Sequence, residues 1–248
     1  MVINSTFKVS RSGLKLFLEC PRCFWLTNKH NVKRPPSFPY TLASAVDFLV
    51  KQEFDVFRKA GTLPPVFSNY KLDAKLFNGP QLPDWRHNFT GVQYFDEDLN
   101  AMLYGAVDDI LEFSDGSLAV VDYKSTGSKE PHIYDDYQKQ MDVYTYLLNK
   151  NGFEVSDKAY FVFFVVDKSV GKFDKKLNFT EEVRDIKVDP SWVAQVFERA
   201  VKTARQEKSP VSSVDCVHCN YIDKANAHGG HIIHAIDTDK DFVLVPEN

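Results

Sequence analysis

All four cysteines of this chain fall into two pairs of one spacing, Cys20-Pro-Arg-Cys23 and Cys216-Val-His-Cys219, with 193 positions from Cys23 to Cys216. Paired thiols at this spacing are a ligand pattern, and disulfides do not persist in a reducing compartment, so the four are expected to bind one metal centre. A fold that satisfies them must bring the two ends of the chain together. Four thiolates suit tetrahedral zinc and an iron–sulfur cluster alike, and spacing alone leans to zinc. Under either metal the expected role is structural, a clasp across the intervening chain.

That intervening chain is long enough to bury a substantial core in one or two domains, at 248 residues and 44% hydrophobic composition. The longest apolar run, Tyr160 to Val166, is far short of the roughly 20 residues a membrane span needs, and the N-terminus lacks an apolar signal core. The expectation is a soluble, cytoplasmic protein with no membrane association. A net charge of −4 argues against coating nucleic acid by bulk electrostatics, so any nucleic-acid reading must rest on a site. Basic residues are dense at Lys29, His30, Lys33 and Arg34 and again at Lys168, Lys172, Lys175 and Lys176, runs that read first as solvated loop charge.

Ser10 can cap a short helix through Leu14, Phe17 and Leu18 that ends near Cys20-Pro21. After an extended Lys33–Tyr40 segment rich in proline, Leu42, Val46, Leu49, Val50 and Phe57 recur at helical spacing and predict a helix over 41–60. Residues 61–88 show no lasting period and read as irregular, with room for short helical pieces. Three strands follow, Gly91–Phe95, Met102–Phe113 and Leu118–Lys124, the last two joined by a Ser114-Asp115-Gly116 hairpin turn, then a helix over 133–149. Lys158–Val166 reads as a buried strand with Lys175–Val188 beside it, so the sheet is mixed. Asp189-Pro190 opens a last helix through Trp192, Val196 and Val201, and Asp215-Cys216 begins the second cysteine turn before a polar tail. His228, His231 and His234 are read as part of that tail, not as a second metal site.

The chemistry concentrates in Gly105-Ala-Val-Asp108 and Val120-Val-Asp122-Tyr-Lys124. Strand positions two apart share a face, so Asp122 and Lys124 project together, and a hairpin neighbour can set Asp108 beside them. Converging carboxylates repel unless a cation lies between them, and hard oxygen donors suit Mg²⁺ or Mn²⁺. A surface ion pair would be the ordinary reading of Asp-x-Lys. Here, however, the charges end an apolar run, Leu118-Ala-Val-Val121, and a buried charge needs a partner or a metal. Gln140 and Tyr144 lie one helical turn apart on one face of the next helix.

Gly-x-x-Asp, a hairpin, Val-Asp-Tyr-Lys-Ser and then Gln-x-x-x-Tyr on a helix resembles the RecB-type branch of the PD-(D/E)XK nucleases, which includes the iron–sulfur nucleases of CRISPR adaptation and the AddB nuclease domain. The resemblance spans roughly residues 10–221. It implies an α/β nuclease core with a central mixed β-sheet flanked by helices. Asp108 and Asp122 would hold Mg or Mn, the Tyr123 carbonyl would add a ligand, Lys124 would orient or deprotonate the attacking water, and Gln140 and Tyr144 would support the site. Where the family commonly carries a metal-binding His, this chain has Asp47, and Glu53 on the same helix is its rival, set by helical projection among Leu42, Val46 and Phe57. The resemblance also leans the cysteine centre toward a [4Fe-4S] cluster. Those relatives pair one N-terminal cysteine with three C-terminal ones, whereas this chain has Cys20 and Cys23 against Cys216 and Cys219.

The expected organisation is one domain over 1–221, with 1–40 and 208–221 as the clasp and 222–248 as a tail. The expected function is metal-dependent hydrolysis of DNA, of single strands with an end, in repair, recombination or spacer capture, alongside other repair or CRISPR adaptation proteins. The alternative is a DNA-binding or scaffold module that keeps the fold and the clasp without catalysis.

Overall fold

A computed structural model describes residues 6–36 and 38–228. In chain order the elements are β1 (Phe7–Ser10), α1 (Arg11–Glu19), α2 (Pro21–His30), α3 (Thr41–Ala60), β2 (Ala74–Leu76), α4 (Leu82–Trp85), β3 (Val92–Asp96), β4 (Ala101–Gly105), β5 (Asp109–Phe113), β6 (Leu118–Thr126), α5 (Asp135–Lys150), β7 (Lys158–Val166), β8 (Phe179–Lys187), α6 (Val193–Arg205) and α7 (Val217–Ala227). The architecture is mixed α/β. A five-stranded sheet runs β2-β5-β6-β7-β8, with β6 and β7 parallel and the other pairs antiparallel.

The central sheet is buried on both faces, which is why β7 reads as an almost unbroken apolar run. Strand alternation sorts its side chains. Val120, Phe161 and Phe163 pack in the core that includes α5, α6 and α1, while Val121, Tyr123, Tyr160, Val162 and Phe164 pack with Val50 and Phe54 of α3. Ser10 caps α1, its hydroxyl accepting from the Gly13 N–H at 2.9 Å, and the hairpin turn between β5 and β6 places Gly116 at φ +86°, where a side chain would be strained.

Several sequence expectations need correcting. Met102–Phe113 is not one strand. It divides at Ala106-Val107-Asp108, because β4 belongs to a second, three-stranded sheet, β1-β4-β3, and the chain must cross from one sheet to the other. Proline at Cys20-Pro21 ends α1 and also starts α2, a helix the sequence reading lacked, since its fixed φ suits the first helical position. The stretch read as irregular supplies β2, an edge strand on β5. The chain after Cys219 continues as helix to Ala227, across the expected tail boundary at 222; His231 and His234 lie outside the described residues. Among the described residues, no helix is long and apolar enough to cross a membrane.

Candidate active site and cysteine centre

β5 and β6 pair with Asp109 opposite Val121, and Asp108, just before β5, reaches β6 beside Asp122 by accepting the Tyr123 N–H. Alternation then sends Asp122 and Lys124 toward α5 and Tyr123 toward α3. Asp122 is 1% exposed. Its Oδ1 accepts from Gln140 Nε2 at 2.8 Å, and the same amide nitrogen lies 3.2 Å from the Tyr144 hydroxyl. The Lys124 ammonium is ion-paired with Asp122 Oδ2, approaches Gln140 Oε1 at 3.4 Å and sits 4.7 Å above the Tyr137 ring. Gly105 has a steric role: a Cβ there would come within 2.6 Å of the Tyr144 ring, so its missing side chain lets Tyr144 lie under the site.

Asp108 Oδ2 accepts the Tyr123 backbone N–H at 3.0 Å, and its Oδ1 accepts from Lys51 Nζ at 2.8 Å. Lys51 also donates to Asp47 Oδ2 at 2.9 Å and so bridges two carboxylates. Asp47, Asp108, Asp122, Lys124, Gln140 and Tyr144 line one open cleft of about 570 Å³ that also takes in Tyr40, Asn88 and Tyr137. Of the two candidate ligands on α3, Asp47 lines the cleft. Glu53 is exposed and lies near Glu181, whose carboxyl it helps raise, because the buried arc of α3 is Val50, Phe54 and Arg58 and excludes it.

Burial, and then the charge of Asp108, push the Asp122 carboxyl up to about 7. The same two causes raise Asp47. Tyr144 is held well above the usual phenol range by burial, and remains a neutral hydrogen-bonding group. Asp122 Oδ2 is buried, and its partner is the Lys124 ammonium. Three carboxylates, two of them with raised pKa values, form a donor set that suits a hard divalent cation.

Sequence reasoning missed Lys51, which stands four residues after Asp47 and therefore on the same helix face. It also missed a network just behind the cleft. Asp109, 0% exposed, takes Arg58 Nη2 on both oxygens at 2.8 and 2.6 Å, Arg86 Nη2 at 2.6 Å and the Tyr123 hydroxyl at 2.6 Å. Asp55 Oδ1 joins the two arginines at 3.0 and 2.8 Å, and Arg86 Nε donates to the Asp108 carbonyl at 2.8 Å. The doubled acid Asp108-Asp109, at the entry to β5, was the available signal.

At the chain ends, Cys20 caps α2 and Cys23 lies in its first turn, while Cys216 caps α7 and Cys219 lies in its first turn. All four are buried, with Sγ–Sγ distances of 3.9 Å for Cys20–Cys219, 3.6 Å for Cys23–Cys216 and 3.6 Å for Cys23–Cys219, and all four sulfurs lie within 4.8 Å of one another. Arg34 donates from Nη2 to Cys216 Sγ at 3.7 Å and is ion-paired with Glu19.

A family model described as the PD-(D/E)XK nuclease superfamily matches residues 8–223. No curated protein matches the chain. Similar solved structures include a phage-related exonuclease from Haemophilus somnus 129PT, at TM-score 0.37 and 14% identity over 84% of this chain and 82% of that one. LHK-Exo in complex with dAMP is similar at TM-score 0.35 and 11% identity, over 89% of this chain and 94% of that one.

Proposed function

The chain belongs to the PD-(D/E)XK nuclease superfamily, and on that premise we propose that it is a metal-dependent deoxyribonuclease whose active site is the cleft of Asp108, Asp122 and Lys124. The observation that carries the proposal is the convergence of Asp47, Asp108, Asp122 and Lys124 on one cleft, with Asp122 buried and its carboxyl raised by burial and by the charge of Asp108. Asp108, Asp122 and Asp47 are the residues that would hold Mg²⁺ or Mn²⁺, with the Tyr123 carbonyl as a further oxygen ligand. Held there, such a cation would supply charge stabilisation for a phosphate under attack and would lower the pKa of water in the cleft.

The chain's own residues do the rest. Lys124, held between Asp122, Gln140 and the Tyr137 ring, presents an ammonium that orients water and offsets phosphate charge. Gln140 and Tyr144 hold the Asp122 carboxylate in place from α5. The packing of Tyr144 on Gly105 links the Gly-x-x-Asp and Gln-x-x-x-Tyr motifs and supports the RecB-type reading. We assign residues 1–221 to one nuclease domain, with 1–40 and 208–221 as its clasp, in a reducing, cytoplasmic setting that suits four buried thiols.

The substrate reading is single-stranded DNA with an end, met in repair, recombination or spacer capture. Tyr40, 78% exposed, stands at the cleft lip, where an aromatic ring can stack on an unpaired base for about 1–3 kcal/mol. The test is cleavage of linear single strands, circular single strands and matched duplex with Mg²⁺ or Mn²⁺. The expected result is that linear single strands are cut fastest, and that Asp122→Ala and Lys124→Ala each lose activity by a factor on the order of 10³ with the fold intact. Wild-type rates in either variant would remove the catalytic assignment. DNA binding without cleavage would leave the scaffold alternative.

A further inference from the structure

The cysteine centre has the dimensions of a single ion. Around one tetrahedral zinc, four sulfurs each about 2.3 Å from the metal stand about 3.8 Å from one another. The sulfurs here are 3.6, 3.6 and 3.9 Å apart where they touch, with none more than 4.8 Å from any other. An iron–sulfur cluster spreads its cysteines over several irons, to separate corners of a four-iron cluster or into two pairs on a two-iron one. Neither pattern is present. Cys23 touches both Cys216 and Cys219, and Cys219 touches both Cys20 and Cys23, so every division into two pairs leaves a short contact between them.

We propose that this centre holds one zinc ion as a closed tetrathiolate, and not the cluster of the iron–sulfur nucleases that the sequence resembles. The inference deepens the clasp reading and rests on it. Both pairs are built alike: the first cysteine caps a helix and the second lies in its first turn, so the N-terminal backbone amides of α2 and α7 favour thiolate charge at the centre. Four thiolates around one divalent ion leave a net negative charge, and the Arg34 guanidinium reaches Cys216 Sγ to offset it. With four protein ligands no coordination position stays open, so the ion ties the α1–α2 corner to α7 and takes no part in hydrolysis.

The deciding measurement is metal content of the full chain, purified anaerobically from cells supplied with both iron and zinc. The expected result is one zinc per chain, no acid-labile sulfide and no brown colour. Cobalt-grown protein is expected to show the intense visible bands of tetrahedral thiolate coordination. Cys216→Ser should lose the metal, and Arg34→Gln, which keeps all four ligands should Cys216→Ser fail to fold, should retain zinc but release it to a chelator about tenfold more readily. Iron with labile sulfide overturns the zinc assignment and leaves the clasp standing. Protein without bound metal overturns both. One zinc per chain in a protein that fails to cut DNA supports the zinc assignment while overturning the nuclease reading.

Discussion

Asp108 and Asp109 are neighbours in sequence and opposites in surroundings. Asp109 faces the network, where two carboxylates, Asp55 and Asp109, meet two guanidinium groups, Arg58 and Arg86, and both Asp109 oxygens are hydrogen-bonded. Asp108 faces the cleft, where three carboxylates meet two ammonium groups, Lys51 bridging Asp47 and Asp108 and Lys124 paired with Asp122. The contrast teaches where a cation is wanted. Charge is balanced where the fold needs rigidity, and left in deficit one residue away, where a divalent ion can complete it.

The largest expected effect separates the two regions by stability. Asp109→Ala removes the buried carboxylate shared by Arg58, itself buried, and the half-buried Arg86, and is expected to cost about 3–5 kcal/mol in denaturant unfolding. Asp122→Asn, equally buried, removes a carboxyl that burial and Asp108 already disfavour, so metal-free protein should be unchanged or more stable. Equal losses in the two variants would break the comparison.

A second expectation concerns pH. The Asp122 carboxyl is raised from an unfolded value near 3.9 to about 7, so the folded state holds the extra proton, and this group's contribution to metal-free stability is complete below about pH 4 and is lost as pH climbs through 7. A cation competes with that proton. Thermal stabilisation by Mn²⁺ should therefore be small at pH 5 and grow through pH 8, and a shift independent of pH would count against Asp122 as a ligand.

The smallest effect tests α3. Asp47→Asn should raise the Mn²⁺ concentration needed for half-maximal activity several-fold, while Glu53→Gln, exposed and turned toward Glu181, should leave it unaltered. Matching responses would remove Asp47 from the ligand set.

Much of this was legible because its causes are local. The helix over 41–60, the β5–β6 hairpin and the pairing of β7 with β8 follow from apolar period and turn chemistry, and α3, β7 and the Gly116 turn match that reading closely. What escaped depended on partners far away in sequence. β2 is too short to carry a period and exists through its pairing with β5; β4 and β5 look like one strand until the second sheet claims β4.

By itself, the sequence determined that Asp122 and Lys124 share a face with Tyr123 turned the other way, since a strand has period two, and that the four cysteines come as two like pairs. Only the tertiary structure decided that Asp47, not Glu53, lines the cleft, that Lys51 bridges Asp47 and Asp108, that Asp109 is locked by two arginines, and that four sulfurs close to within 4.8 Å. Each of these is a distance between groups on different elements. Burial and charge set such distances through long-range packing, which local periodicity does not encode.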